Sequence, residues 1–346
     1  MQKLIQRYNS MMGQGLSIRA MARMLNLAPS TVQGHLAKIK AQGNLVHGNT
    51  GKRNRPPNPN KGMILRAAEQ YYDFSISHMQ ELLAERDGLV VNPETLRRWL
   101  ARPRKHKRAV QRQRRDAKPN FGEMLQIDGS FHDWFGGIKT CLINIVDDAT
   151  KITEMRFDEQ ETIESACRAA WAWFNKYGVP ESFYADGRNM YHVLETENFF
   201  TSMCKTLGIR VIMAHSAQAK GRVERSNRTH QDRLVPLMRL DGVDNIADAN
   251  RYLENYLIKH NRKFSQAALG GDVHRPLPEW AKDIDDVCVI SAVRTLNNDW
   301  TFSYKNRICK IPRQSVYPPA KSKIVLKITL SGKITASYRC SVFNVE

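Results

Sequence analysis

The sequence predicts a multidomain chain: a basic all-α front, a central α/β body on a mixed sheet, and a small β-rich tail folded as a barrel or sheet. Three observations predict it. Residues 1–120 hold 23 Lys/Arg against 7 Asp/Glu, so most of the chain's +19 charge lies in its first third. From residue 119 strand and helix patterns follow one another as strand, strand, strand, helix, strand, helix, strand, helix, which builds a mixed sheet covered by helices. The tail alternates apolar and polar residues around a tight "SGK" turn, the mark of a hairpin.

Residues 1–45 read as three helices. Leu4, Ile5, Tyr8, Met11 and Met12 share one face; Ile18, Met21, Ala22 and Leu25 share another. After the turn "NLAPS", Ser30 is the expected N-cap of a third helix. That helix buries Val32, Leu36 and Ile39 and turns Thr31, Gln33, His35 and Lys38 outward. A helix, a short turn and an outward-polar helix make a helix-turn-helix pattern, whose second helix enters the major groove of DNA. A plain three-helix bundle is the alternative, and the local charge favours DNA. Ser30, Thr31, Gln33, His35 and Lys38 are the candidate contacts.

Residues 46–60 lack apolar periodicity and read as a linker. Residues 61–101 read as a second helical domain, either another helix-turn-helix or a spacer. Its last helix starts at "NPETLRRWL", with Asn92 as cap and Pro93 in the first turn. Arg97 and Arg98 are expected on the exposed side. The run "RPRKHKRAVQRQRR" has eight Lys/Arg and no acid. It reads as a basic linker, 102–118, ordered along a phosphate backbone through Arg102, Arg104, Lys105, Lys107 and Arg108.

The body, 119–265, begins with the strands "EMLQIDGS", "IKTCLINIVDDAT" and "KITEMRF". An amphipathic helix stopped by Gly178 follows, then the strand "ESFYAD", the helix "ETENFFTSMCKTLG", the strand "IRVIMAH", a long helix 220–239 and a closing helix 246–262. Residues 266–346 form the β tail. The six cysteines form no CxxC pair, which argues against a cysteine zinc site. No segment has the length and apolarity of a membrane span or signal peptide. A cytoplasmic, nucleoid-associated protein is the expectation.

Three carboxylates stand at informative places. Asp128 ends the first body strand, Asp186 ends the fourth, and Glu224 lies near the start of the long helix, inside "HSAQAKGRVERSNRTHQDRL" among Lys220, Arg222, Arg225, Arg228 and Arg233. In a sheet of this order the first and fourth strands can be neighbours, and the helix after the last strand can bring Glu224 to them. Three crowded carboxylates repel one another. Magnesium or manganese removes the conflict, since hard cations take oxygen ligands. Two such ions roughly 3.5–4 Å apart stabilise the attacking and leaving oxygens of a phosphoryl displacement. The surrounding Lys220, Arg222, Arg225 and Arg228 are then phosphate contacts. Taken singly, each acid reads as a turn former or a salt-bridge partner. Asp147 and Asp148, which also end a strand, fit a hairpin turn and are assigned structure. His215 and Asp133 read as structural loop and hairpin residues, and Trp134 as a buried one.

Residues 123–234 resemble the integrase-type catalytic core of DDE transposases and retroviral integrases. "LQIDGS", "YADGRN" and "KGRVERSN" carry the resemblance, with 57 residues between Asp128 and Asp186 and 37 between Asp186 and Glu224. The resemblance implies an RNase H-like fold in which Asp128, Asp186 and Glu224 hold divalent metal. With the front helices and "DGSFHDWFGG", the chain is most like insertion-sequence transposases of the ISNCY group. Two departures stand out. Gly187-Arg188-Asn189 rearranges the turn after Asp186, and Gln231 holds the second of two positions that are often basic on the glutamate helix, Arg228 holding the first.

What the resemblance implies is a transposase. It would bind the terminal inverted repeats of its element, cut to free 3′-hydroxyl ends, and join them to target DNA as at least a dimer. The rivals are a non-catalytic DNA-binding regulator derived from a transposase and an RNase H-like nuclease or resolvase without strand transfer.

Overall fold

The computed structural model describes residues 2–43, 45, 58–102, 116–137, 139–186, 198–214, 221–312 and 317–346, with backbone alone at Asp186 and Ala214. The chain divides into two compact units, Met1–Met63 and Ile64–Glu346.

The first unit holds α1 (Gln2–Gly13), α2 (Ile18–Leu25) and α3 (Pro29–Gln42) around Tyr8, Met11, Met21, Ala22 and Val32. Ser17 caps α2 by accepting from the Ala20 amide. Asn26 then takes a left-handed conformation, φ 50°, and turns the chain into α3. The cap of α3 is Ala28 rather than Ser30, because Pro29 occupies the first helical position, where its missing N–H is no loss. Ser30, Thr31, Gln33 and Lys38 are exposed as expected. His35 is not: it is half-buried, hydrogen-bonded through Nδ1 to the Tyr8 hydroxyl at 3.0 Å and edge-on to the Tyr8 ring.

The second unit is built on a five-stranded sheet in the order β3-β2-β1-β4-β5. Here β1 is Leu125–Asp133, β2 Lys139–Asp147, β3 Thr153–Asp158, β4 Ser182–Asp186 and β5 Arg210–Ala214. The first three strands form an antiparallel meander, and β4 and β5 run parallel to β1, so the sheet is mixed. The inner strand β2, "TCLINIV", is buried on both faces, which explains an apolar run broken only by Asn144 after its first threonine.

Each face has its own core. On one lie α7 (Ile163–Tyr177) and α8 (Phe199–Thr206), packed on Leu125, Ile127, Cys141, Ile143 and Ile145. On the other lie α9 (Gly221–Leu240) and α10 (Ile246–Phe264), over Leu142, Met155 and Phe157. That second core also takes in Leu82, Leu83 and Leu96 from α5 (Ile76–Glu85) and α6 (Pro93–Trp99), which follow α4 (Lys61–Glu69). The helices expected over 61–101 therefore share a core with the body. Arg239–Asp73 and Arg86–Asp241 ion pairs, at 2.7 and 2.8 Å, fasten them to α9 and its C-terminal turn.

The tail follows α11 (Ile284–Val287). It comprises β6 (Val289–Thr295), β7 (Thr301–Tyr304), β8 (Arg307–Lys310), β9 (Lys323–Thr329), β10 (Ile334–Tyr338) and β11 (Ser341–Asn344). It forms a four-stranded sheet, β11-β10-β9-β6, and a β7-β8 hairpin. Of the two forms expected for the tail, barrel or sheet, the described strands take the open sheet. Leu326, Phe302 and Cys288 join the α7–α8 core, so the tail packs on the body. The "SGK" hairpin joins β9 to β10, with Gly332 at φ 88°.

Candidate active site

The strand β1 and the helix α9 meet in matched steps. Gln126, Asp128 and Ser130 stand on one face of β1 because strand side chains alternate. Val223, Asn227 and Gln231 lie four apart on one side of α9. Gln126 Oε1 accepts from the Val223 amide at 3.2 Å, Asp128 Oδ2 from Asn227 Nδ2 at 2.9 Å, and Ser130 Oγ from Gln231 Nε2 at 3.0 Å. Two strand residues span about 6.6 Å and four helical residues about 6 Å, so the two repeats stay in step. The helix runs alongside β1, in the same direction.

This docking decides where Glu224 stands. Successive helical residues turn by about 100°. Buried Val223, Asn227, His230 and Leu234 define the docked line of α9. Ser226 lies on one flank and reaches β2, where its Oγ accepts from Asn144 Nδ2 at 3.0 Å. Glu224 lies on the opposite flank, level with the stretch of β1 between Gln126 and Asp128. Because β4 adjoins β1 on the side away from β2, that flank is the β4 side. Glu224 is exposed, as are Arg225 and Arg228.

The second aspartate enters through strand pairing. β1 and β4 pair in parallel, Leu125 with Phe183 and Gln126 with Tyr184. Asp186 ends β4 as expected, but Asp128 does not end its strand: it lies inside β1, paired with Asn144 of β2, because the β1–β2 hairpin runs on to Asp133. Both aspartates follow the last β1–β4 pair by two residues, so both lie just past the same end of that ladder. The structure thus brings strand positions 128 and 186 together and sets Glu224 on the adjoining flank. Among the described residues no three His, Cys, Asp or Glu side chains gather closely enough to hold a metal, and the Asp186 side chain lies outside them. The donor chemistry fits a hard divalent cation: Asp128, partly exposed, and Glu224, exposed, are both oxygen donors. Beside Asp128 the chain needs Gly129, where a Cβ would come within 2.5 Å of the Glu161 carboxyl carbon.

The other candidates divide. Arg222 pairs with Asp148 at 2.7 Å, with 23% and 0% of the two side chains exposed, so this guanidinium serves the fold instead of standing out toward phosphate. Asp148 also accepts from Gln126 Nε2 and the Lys118 amide. Asp147 accepts from the Thr150 and Gly122 amides and the Thr150 hydroxyl, closing the turn; burial nonetheless pushes its carboxyl above the usual range. Arg102 donates to the carbonyls of Phe74 and Tyr72, and Arg97 pairs with Glu94 at 2.7 Å. Arg98 is exposed. Trp134 is buried and donates to the Ser130 carbonyl, and Asp133 accepts from Gly137. Arg104, Lys105, Lys107, Arg108, His215 and Lys220 lie outside the described residues.

Sequence reasoning passed over Gln126, Asn144 and Asn227. Asn227 stands in the motif "ERSN" without a role, and the other two are polar residues inside apolar strands, the one signal that pointed to them. Asn144, fully buried, donates to Asn227 Oδ1 at 2.8 Å and accepts from the Thr153 hydroxyl at 2.6 Å. From Ser226 the chain of contacts continues to His230 Nε2 at 3.0 Å, on to the Tyr256 hydroxyl at 3.0 Å, and to His260 at 3.3 Å. Burial holds His230 and His260 below the ordinary histidine range, His260 at about 4.

No family model matches the chain. It is similar to a Sinorhizobium fredii protein named as a transposase, y4bF, at 36% identity over 258 residues, 69% of this chain and 56% of that protein. The chain therefore spans little more than half of that relative. It is also similar to the transposase for insertion sequence IS1202 of Streptococcus pneumoniae, at 25% identity over 93% of this chain and 81% of that one. Among solved structures, the HTLV-2 integrase catalytic core in complex with magnesium aligns at 19% identity with a TM-score of 0.31, over 41% of this chain and 85% of that one. A simian T-cell lymphotropic virus intasome chain aligns at 12% identity with a TM-score of 0.39, over 82% and 95%.

Proposed function

We propose that the chain is a DNA transposase of the insertion-sequence kind, most like the ISNCY group, with an RNase H-like integrase core. In this reading it binds the terminal inverted repeats of its element, frees 3′-hydroxyl ends and joins them to target DNA. Asp128, Asp186 and Glu224 would hold magnesium or manganese, which would neutralise charge on the attacking and leaving oxygens of an in-line phosphoryl displacement. The protein's own share is positioning. The β1–β4 pairing sets the two aspartates level, α9 carries the glutamate to the same flank, and exposed Arg225 and Arg228 line the approach for a phosphodiester. Thr31, Gln33 and Lys38 on exposed α3 would read the repeat, and joining two ends calls for at least two copies on DNA.

One observation carries the proposal: Asp128 and Asp186 lie just past the same end of a parallel strand ladder, with Glu224 on the adjoining helix flank. The similarity to two proteins named as transposases supports the coarser part of the reading, that the chain is a transposase.

The test uses DNA carrying the repeats that flank the gene. With Mg2+, the wild-type protein should nick at the element ends, and pre-cut ends should be joined to a target plasmid. Asp186→Asn should abolish both while end binding persists. Binding without any cut would leave a regulator, and cutting without joined product a nuclease; either result rejects the transposase.

A further inference from the structure

We propose that Asn227 is a positioning residue for Asp128, and that a buried polar clamp of Asn144, Thr153 and Ser226 holds it there. This inference rests on the reading of Asp128 as a metal ligand and adds a residue that the reading does not include.

Asn227 is 7% exposed and sits one helical turn after Glu224. Its side chain meets Asp128 at 2.9 Å across 99 residues of sequence. An ionised carboxylate only accepts, so the amide must present its NH2 group to Asp128. That choice fixes the rest. Asn227 Oδ1 is left as an acceptor and takes an N–H from Asn144 at 2.8 Å; the second Asn144 N–H goes to Ser226 Oγ at 3.0 Å, and Asn144 Oδ1 accepts from Thr153 at 2.6 Å. Every amide atom facing the clamp has a partner, and no amide can flip without setting like against like. Such a chain holds one rotamer of Asp128 before any cation arrives.

The arrangement also links the two carboxylates. Asn227 joins Asp128 to the helix that bears Glu224, so the clamp sets the axial position of Glu224 against β1 as well. Partners of this kind cost 10–100-fold in metal affinity when removed. Gln231 supplies a control. Its hydrogen bond to Ser130 docks the same helix on the same strand, one helical turn further along.

The experiment titrates Mn2+ into the full-length protein and follows the loss of free Mn2+ by electron paramagnetic resonance, with melting temperature recorded for each variant. Wild type should bind Mn2+ saturably, and Asp128→Asn should abolish binding. Asn227→Ala should weaken binding by about tenfold or more. Asn227→Ser, which keeps a hydroxyl for Asn144 but is too short to reach Asp128, should do the same with a smaller change in melting. Gln231→Ala should stay within about twofold, because it leaves Asp128 and its partner intact. Wild-type affinity in a folded Asn227→Ala or Asn227→Ser protein overturns the positioning role alone. Equal losses in Gln231→Ala and Asn227→Ala also overturn it, since helix docking would then explain both. A wild-type protein without saturable Mn2+ binding removes the metal site and the clamp's purpose together.

Discussion

The two flanks of α9 carry the same kinds of residue to opposite ends. On the inner side, Arg222, Asn227, His230 and Arg233 are matched to specific partners: Asp148, Asp128, Tyr256 and Glu81. On the outer side, Glu224, Arg225 and Arg228 are exposed. In "GRVERSNRTHQDRL" the two sets alternate so closely that composition cannot separate them. Partnered groups stabilise and position, and exposed ones remain available to DNA and cation. The contrast predicts separable phenotypes: changes on the outer flank should alter activity with little effect on folding, and changes on the inner flank the reverse.

The largest effect should come from Glu224→Gln. The change keeps shape and removes one charge from an exposed position, so the melting temperature should stay within a degree or two of wild type; on the order of 0.5 kcal/mol is the usual limit for such sites. Mg2+-dependent end cleavage should fall by on the order of 10³-fold, since metal-borne charge stabilisation is worth several kcal/mol and each 1.36 kcal/mol is tenfold. A cleavage assay beside a thermal melt checks both halves. A stable variant that still cuts would erase the functional meaning of the outer flank.

Arg222→Ala tests the inner flank. It removes the guanidinium paired with the fully buried Asp148, and breaking a buried pair costs about 3–5 kcal/mol. Urea unfolding should show that loss. If stability is unchanged, Arg222 belongs with the phosphate-facing residues, where its sequence neighbours place it.

The core beneath the inner flank has a pH dependence of its own, carried by His230 of α9, His78 of α5 and His260 of α10. His78 and His260 are held at about 4, by burial first and by Arg233 next, and His230 is lowered by burial and by His260. Below about 6.5 the unfolded chain takes up protons that the folded histidines refuse, so the unfolded state binds more and stability falls with pH. The loss should run from about pH 6.5 down to about 4, worth roughly 2 kcal/mol per histidine between pH 7 and 5. Urea midpoints across that range give the slope, and His78→Gln should flatten it. A flat profile in the wild type would mean that these rings are protonated in the fold.

How much of this was legible in the sequence follows the same division. Asp128, Asp186 and Glu224 could be singled out because the strand and helix patterns around them are local features and the strand order supplied their neighbourhood. The end of the first strand was misplaced, however: β1 runs on past Asp128 to Asp133, since its pairing with β2 continues there. Asn227 could not be given a role, because its partners are 83 and 99 residues away, and a polar residue in an apolar strand reads as an interruption until its partner is known. Arg222 was read by its charge, yet charge alone does not say whether a buried acid waits beneath it. In α3, the polarity of His35 put it outside although it stands three residues after Val32 and four before Ile39, and the Tyr8 hydroxyl gives its ring a reason to turn in. The tail's strands were visible from their alternation, but their packing on the α7–α8 core depends on contacts that no local pattern encodes.

The smallest expected effect sharpens the comparison most. Arg225 and Arg228 are exposed on α9, where Arg228 stands one turn beyond Glu224. If Arg228 meets a phosphate, Arg228→Ala should weaken DNA binding by about 1 kcal/mol for every sequence alike and lower the slope of log K against log salt by about 1, the signature of one lost phosphate contact. Folding should change by no more than about 0.5 kcal/mol. Arg222→Ala, measured at a temperature where it stays folded, should leave the salt slope unchanged, because a guanidinium already held by Asp148 releases no counterion from DNA. Fluorescence anisotropy over a salt series measures both. Two variants six residues apart on one helix would then differ in opposite senses, one in salt slope and one in stability. Equal salt slopes for the two would mean that burial does not sort this helix's arginines by task.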